Sequence, residues 1–168
     1  VKNSYDADAT KVKISMHNVK EPGGKIIVQD NGVGMSKLNF QKTWMRIATI
    51  EKENNPVSSV YKRERAGEKG IGRFACRSLS KILILKSITN MEGENKEELS
   101  ATFNWDSFKS GVDIDQIPVT ISTKMLNPET QTGTTLTLAD TYGTWNSRDV
   151  RHLRAELRDL IHPKTFSS

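Results

Sequence analysis

The apolar run Ile26-Ile27-Val28 leads almost at once into Asp30-Asn31-Gly32-Val33-Gly34-Met35, so a strand must end where one acid and two glycines follow. Glycine leaves the backbone bare and tolerates positive φ. A strand exit of this composition is either an Asn-Gly hairpin turn or a place where a ligand meets the main chain. What surrounds it in the chain decides between the two.

Val12, Ile14 and Met16 alternate with polar residues, which predicts a half-buried strand over 11–17, and Glu21-Pro22-Gly23-Gly24 turns the chain into a second strand from Lys25 to Asp30. Ser36 is placed to cap a helix from Lys37 to Ile47, and the polar stretch Glu53 to Ser59 reads as a loop. Ile71 to Ser80 reads as helix. Ile82-Leu83-Ile84-Leu85 reads as a buried strand that turns at Glu92-Gly93-Glu94-Asn95 and returns near Leu99 to Trp105. Val119, Ile121 and Thr123 alternate, as do Thr134, Leu136 and Leu138, predicting two more strands. Val150, Leu153, Leu157, Leu160 and Ile161 recur at helical spacing behind a cap at Asn146 or Ser147. This order predicts an α+β fold, a two-layer sandwich in which a mixed β-sheet carries helices on one face. An all-β sandwich would leave the helical period at 146–161 without a place.

Three further elements flank the strand exit: Asn3-Ser4-Tyr5-Asp6-Ala7 upstream, Gly67-Glu68-Lys69-Gly70-Ile71-Gly72-Arg73-Phe74-Ala75 downstream, and then Gly133-Thr134-Thr135-Leu136. Taken in this order, the four resemble the N-box, G1, G2 and terminal glycine-threonine motifs of the GHKL ATPase superfamily. That superfamily comprises gyrase B, the ninety-kilodalton heat-shock chaperone, histidine kinases and MutL, and the likeness is nearest to its MutL-like, chaperone-like and MORC-like members. The resemblance implies the Bergerat ATP-binding fold, with ATP or ADP held between helices and sheet and Mg2+ as the accompanying ion. It implies a single domain over 1–168, with an ATP lid over residues 36–66.

By the same resemblance, Asp30 accepts a hydrogen bond from the exocyclic amine of adenine. A fixed acceptor there rejects guanine, whose carbonyl would leave a buried carboxylate unpaired. Gly32 and Gly34 let backbone come close, Met35 offers a pliable apolar contact to the base, Thr134 bonds beside Asp30, and Ala7 is small enough to admit the ring. Asn3 supplies a neutral oxygen to Mg2+, an ion that keeps several waters and takes other ligands from phosphates. Asp6, one helical turn on, lies on the same face as Asn3. Gly70, Ile71, Gly72, Arg73 and Phe74 open a helix whose unpaired N–H groups and positive dipole end suit phosphate. The spacing is G-x-x-G-x-G rather than Walker A, because no Gly-Lys-Ser or Gly-Lys-Thr follows. Lys52, in the lid, is a further phosphate contact.

In this superfamily a glutamate four residues before the N-box asparagine activates water. Four before Asn3 is upstream of Val1, so the expectation is an N-terminal helix that is truncated, in a fragment that binds nucleotide weakly and hydrolyses it slowly, while the parent protein is an ATPase. Further domains of the same protein and a homodimer are the expected partners. The formal charge of +5 lies largely in 36–66, where Lys37, Lys42, Arg46, Lys52, Lys62, Arg63 and Arg65 outnumber Glu51, Glu53 and Glu64 by four. Basic residues between two phosphate motifs serve a polyphosphate as readily as a nucleic acid. The single Cys76 excludes an internal disulfide. No apolar run reaches the roughly 20 residues of a membrane span, and the expected setting is cytoplasmic. Two alternatives stay open: the catalytic domain of a histidine kinase, and a DNA-binding or interaction module without ATPase activity.

Overall fold

The computed structural model describes residues 1–44, 57–64, 72–92, 95–105 and 119–161. A short helix α1 (Lys2–Asp6) precedes strands β1 (Val12–His17) and β2 (Lys25–Asp30), followed by helix α2 (Lys37–Thr43) and helix α3 (Gly72–Leu79). Strands β3 (Ser80–Asn90), β4 (Lys96–Asn104), β5 (Val119–Leu126) and β6 (Gly133–Thr141) complete the sheet before the closing helix α4 (Ser147–Ile161). The six strands lie in the order β1-β2-β6-β3-β4-β5.

The α+β class is as expected, but the pairing differs from a mixed sheet. Every ladder among the described strands is antiparallel. The reason is connectivity: β1 to β2 and β3 to β4 are hairpins, and β6 enters between β2 and β3 against both. Strand β3 also runs beyond its apolar start to Asn90, because β4 and β6 pair with it on either side.

Side chains alternate across a strand, so the registers sort residues onto two faces. One face carries Ile26, Leu138, Leu83 and Phe103 in one row and Val28, Leu136, Leu85 and Ala101 in the next. Leu83, Leu85, Leu99 and Ala101 on it are wholly buried. Helix α2 lowers Phe40, also wholly buried, onto this face, where its ring centroid lies 6.2 Å from that of Phe103 and 6.1 Å from that of Trp44. Phe103 in turn stacks on Trp105 at 5.3 Å. Burying each such side chain contributes about 2 kcal/mol. Helix α3 adds Cys76 to the same core.

Ser36 caps α2 as its sequence position indicated, accepting from Asn39 N at 3.3 Å. Buried Glu97 on β4 supplies a second acceptor at this helix start, taking the Lys37 N–H at 2.8 Å. Between the two candidate caps for α4, the structure selects Asn146, whose side-chain oxygen accepts from Arg148 N at 2.7 Å and Asp149 N at 3.2 Å. Half-buried Leu153 and Leu157 form the inner stripe of α4, while Val150 remains exposed. No helix of the described residues is long and apolar enough to cross a membrane.

Candidate functional site

The helix-covered face changes character at one end. Past the apolar rows it carries Asp30, Thr134, Ser87 and Thr89, all polar and none exposed. Asp30 ends β2 beside the start of β6, and its Oδ1 accepts from Gly32 N at 3.0 Å and Thr134 N at 3.1 Å. Two backbone donors therefore fix the carboxylate in orientation. Among the described residues, Oδ2 accepts no hydrogen bond and is left for another donor.

Thr134 continues the arrangement. Its Oγ1 lies 2.9 Å from Ser87 Oγ, and Ser87 Oγ also accepts from Met35 N at 2.9 Å. Thr89 Oγ1 donates to Val33 O at 2.8 Å. Two hydroxyls of β3 thus hold the loop 31–36 against the sheet. From the other side, Ala7 O accepts from Val33 N at 2.9 Å. Asn31 spends its side chain on Thr10 N, Lys11 N and Thr10 Oγ1 at 3.0, 2.8 and 2.8 Å, which fastens the loop to the α1–β1 junction.

The glycines of the loop answer to protein neighbours as well as to any ligand. A Cβ on Gly32 would collide with the carbonyl of Ala7, and one on Gly34, whose φ is +69°, would overlap the carbonyl of Ile88. The loop can lie this close to α1 and β3 only without side chains at those positions. Ala7, which contacts this loop, and Met35, within it, both expected at the base, are half-buried.

Asn3 is exposed on α1, and Asp6 follows one turn later, half-buried. Among the described residues no three His, Cys, Asp or Glu side chains cluster to hold a metal. A lone neutral oxygen on an accessible helix turn fits an ion that draws its remaining ligands from water and phosphate. Gly72 does open helix α3, as the glycine motif indicated. Lys52, Gly70 and Ile71 lie outside the described residues, and nothing is described of the Arg73 and Phe74 side chains. Cys76 is buried in the core, and burial pushes its thiol up to about 11, which suits a packing residue rather than a nucleophile.

Sequence reasoning gave Asp8 no role, and the structure gives it a central one. Asp8 is 5% exposed and adopts φ +61°. Its carboxylate accepts from Ser58 Oγ at 2.5 Å, Ser59 Oγ at 3.3 Å, Val60 N at 2.7 Å and Tyr61 N at 3.1 Å. Burial pushes the Asp8 carboxyl up, and these four donors outweigh it, holding it down at about 2. Beside it the Arg63 guanidinium lies 4.8 Å from the ring centroids of both Tyr5 and Tyr61 and donates to Ala9 O at 2.8 Å. The described end of the expected lid, 57–64, is thereby pinned to the end of α1. The paired serines Ser58-Ser59 were the available signal. Ser87 had none, being one serine within an apolar strand.

The family described as histidine kinase-, DNA gyrase B- and HSP90-like ATPase matches residues 1–134. A putative type II restriction enzyme, HgiDII of Herpetosiphon aurantiacus, is 35% identical over 82 residues, which make up 49% of this chain and 12% of that protein. Among solved structures, the N-terminal domain of a DNA repair protein aligns with a TM-score of 0.45 at 17% identity, over 95% of this chain and 37% of that one. The chain spans well under half the length of either protein.

Proposed function

The chain belongs to the histidine kinase-, DNA gyrase B- and HSP90-like ATPases, an ATP-binding family, and from that membership we propose that Asp30 reads the adenine of ATP. The observation that carries this reading is the asymmetry of the carboxylate. Two backbone N–H groups hold Oδ1, while Oδ2 accepts nothing from the described residues. An exocyclic amine completes it; a carbonyl in the same place would face a negative oxygen. Thr134 stands beside Asp30 to bond the next ring position, and Ala7 and Met35 flank the base.

The phosphates then run toward the motif of Gly70, Ile71, Gly72, Arg73 and Phe74, whose described part, from Gly72, opens α3 with N–H groups and a positive dipole end. Asn3 would hold Mg2+, which supplies charge neutralisation at the phosphates. Lys52 adds positive charge from the lid over 36–66. The 57–64 end of this segment is held to the end of α1 by Asp8 and Arg63. In this reading 1–168 is a single ATP-binding unit, and the bound nucleotide reorganises further domains or a second copy of a larger machine. The likeness to a putative restriction enzyme favours a machine that acts on DNA.

Calorimetric titration of the chain with a non-hydrolysable ATP analogue, with and without magnesium, tests the reading. Saturable binding that tightens with magnesium is expected. No heat of binding in either condition would overturn it.

A further inference from the structure

The second face of the sheet is chemically unlike the first. Its rows follow from the registers: Lys13, Gln29, Thr135, Lys86 and Ser100 in one, Ile88, Glu98 and Lys124 in the next. Lys25 pairs with Ala139, and Lys96 with Asn90, on the same side. Lys11 joins Lys13 and Lys86 around a hollow of about 500 Å3. Against these six lysines the described strands place one acid on this face, Glu98, which is paired with Lys124 at 3.3 Å. Lys96 donates to the carbonyl of Thr130. Lys11, Lys13, Lys25 and Lys86 have no ion-pair partner among the described residues, and all four are exposed.

We propose that this face binds the phosphate backbone of nucleic acid, on the side of the sheet opposite the nucleotide. Lys13 and Lys86 sit on strands three ladder steps apart, which places their backbones roughly 14 Å from each other across the hollow. The charge is spread over a surface rather than focused on a point, as a chain of phosphates requires. Between the lysines, Gln29, Gln131, Thr132 and Thr135 line the hollow with neutral donors for phosphate and sugar oxygens, and two acids, Glu98 and the strand-end residue Asp30, also border it. A lipid surface fits less well, because none of the exposed large apolar side chains occupies a strand position of this face; the one on a strand, Met125, pairs with Glu97 on the other. The inference rests on the placement of charge and does not depend on the adenine reading.

Fluorescence anisotropy of the whole chain with a short labelled duplex of arbitrary sequence, between about 50 and 200 mM salt, tests it. Reversing charge with Lys13→Glu and Lys86→Glu together should weaken binding at least about tenfold and reduce the log–log salt slope by about 2. The milder pair Lys13→Gln and Lys86→Gln should move both in the same direction, with an unchanged circular dichroism spectrum. Arg154→Glu, exposed on α4, should leave both unchanged, and ATP should not compete. Equal effects of the sheet and α4 substitutions would overturn the proposal. So would absence of duplex binding at low salt, or equally tight binding to phosphatidylserine vesicles or polyglutamate.

Discussion

Ser87 Oγ lies 2.9 Å from Thr134 Oγ1 and at the same time accepts from Met35 N at 2.9 Å, so a wholly buried hydroxyl joins the loop after β2 to the start of β6. A serine hydroxyl has one proton and two lone pairs. With one lone pair taken by Met35 N, its proton can go to Thr134 Oγ1 at 2.9 Å or to Gly133 O at 3.5 Å, and in the first arrangement the threonine proton is free for a ring nitrogen. Ser87 is a positioning residue in this account: it touches Thr134 rather than the base. Ser87→Ala should weaken ATP binding about tenfold, the equivalent of about 1 to 2 kcal/mol for the lost bonds. Ser87→Thr, which keeps the hydroxyl, should restore most of it in the same calorimetric titration.

Asp8 makes stability depend on acid. Its carboxyl is held at about 2 in the fold against an ordinary 3.8, so the folded state binds its proton more weakly than the unfolded state. That stability is fully present above pH 3.8 and is lost as the pH falls through about 2. Asp8→Ala should destabilise the chain by about 2 to 3 kcal/mol at neutral pH, because Ser58, Val60 and Tyr61 lose their acceptor. Urea unfolding as a function of pH would show the variant with a flatter acid limb than the parent. An equally steep acid limb would assign the dependence to other carboxylates.

Gly34 is where backbone geometry tolerates least. With φ at +69° and the Ile88 carbonyl where a Cβ would stand, Gly34→Ala should cost about 2 kcal/mol or more in thermal or chemical unfolding. It should also lift Met35 away from Ser87 and weaken nucleotide binding. A variant as stable as the parent would mean that the loop does not rest on β3.

Asn3 is exposed, so Asn3→Ala should change stability by less than about 0.5 kcal/mol. Its effect should appear in the ion dependence instead. The gain in ATP affinity on adding magnesium should shrink, while affinity without magnesium stays the same. A loss equal in both conditions would point to a contact with the nucleotide rather than with the ion.

What could be read from the chain was whatever is local. Alternation located β1, β5 and β6, apolar runs located β2 and β3, and the motifs around Asn3, Asp30, Gly72 and Thr134, in that order, carried the resemblance to the family before any contact was known. Partners distant along the chain were not legible. Ser87 is one hydroxyl within a strand, and only the pairing of β3 with β6 brings it to Thr134. Asp8 needed the path of 57–64 to acquire its four donors. Charge shows the same limit. With the formal +5 of the chain and the +4 of residues 36–66, the remainder sums to +1, a near-neutral figure that conceals lysines gathered from five strands and a loop onto one face.

We propose that Asp30 reads adenine through Oδ2, which accepts nothing from the described residues while two backbone N–H groups hold Oδ1. Competition titrations of ATP against GTP, on the parent chain and on Asp30→Asn, address it most directly. Clear preference for ATP is expected in the parent, and in the variant a loss of ATP affinity of about 10- to 100-fold, the equivalent of a charge-assisted hydrogen bond. GTP binding should stay weak throughout. Equal affinity of the parent for both nucleotides, or undiminished ATP affinity in folded Asp30→Asn, would contradict it.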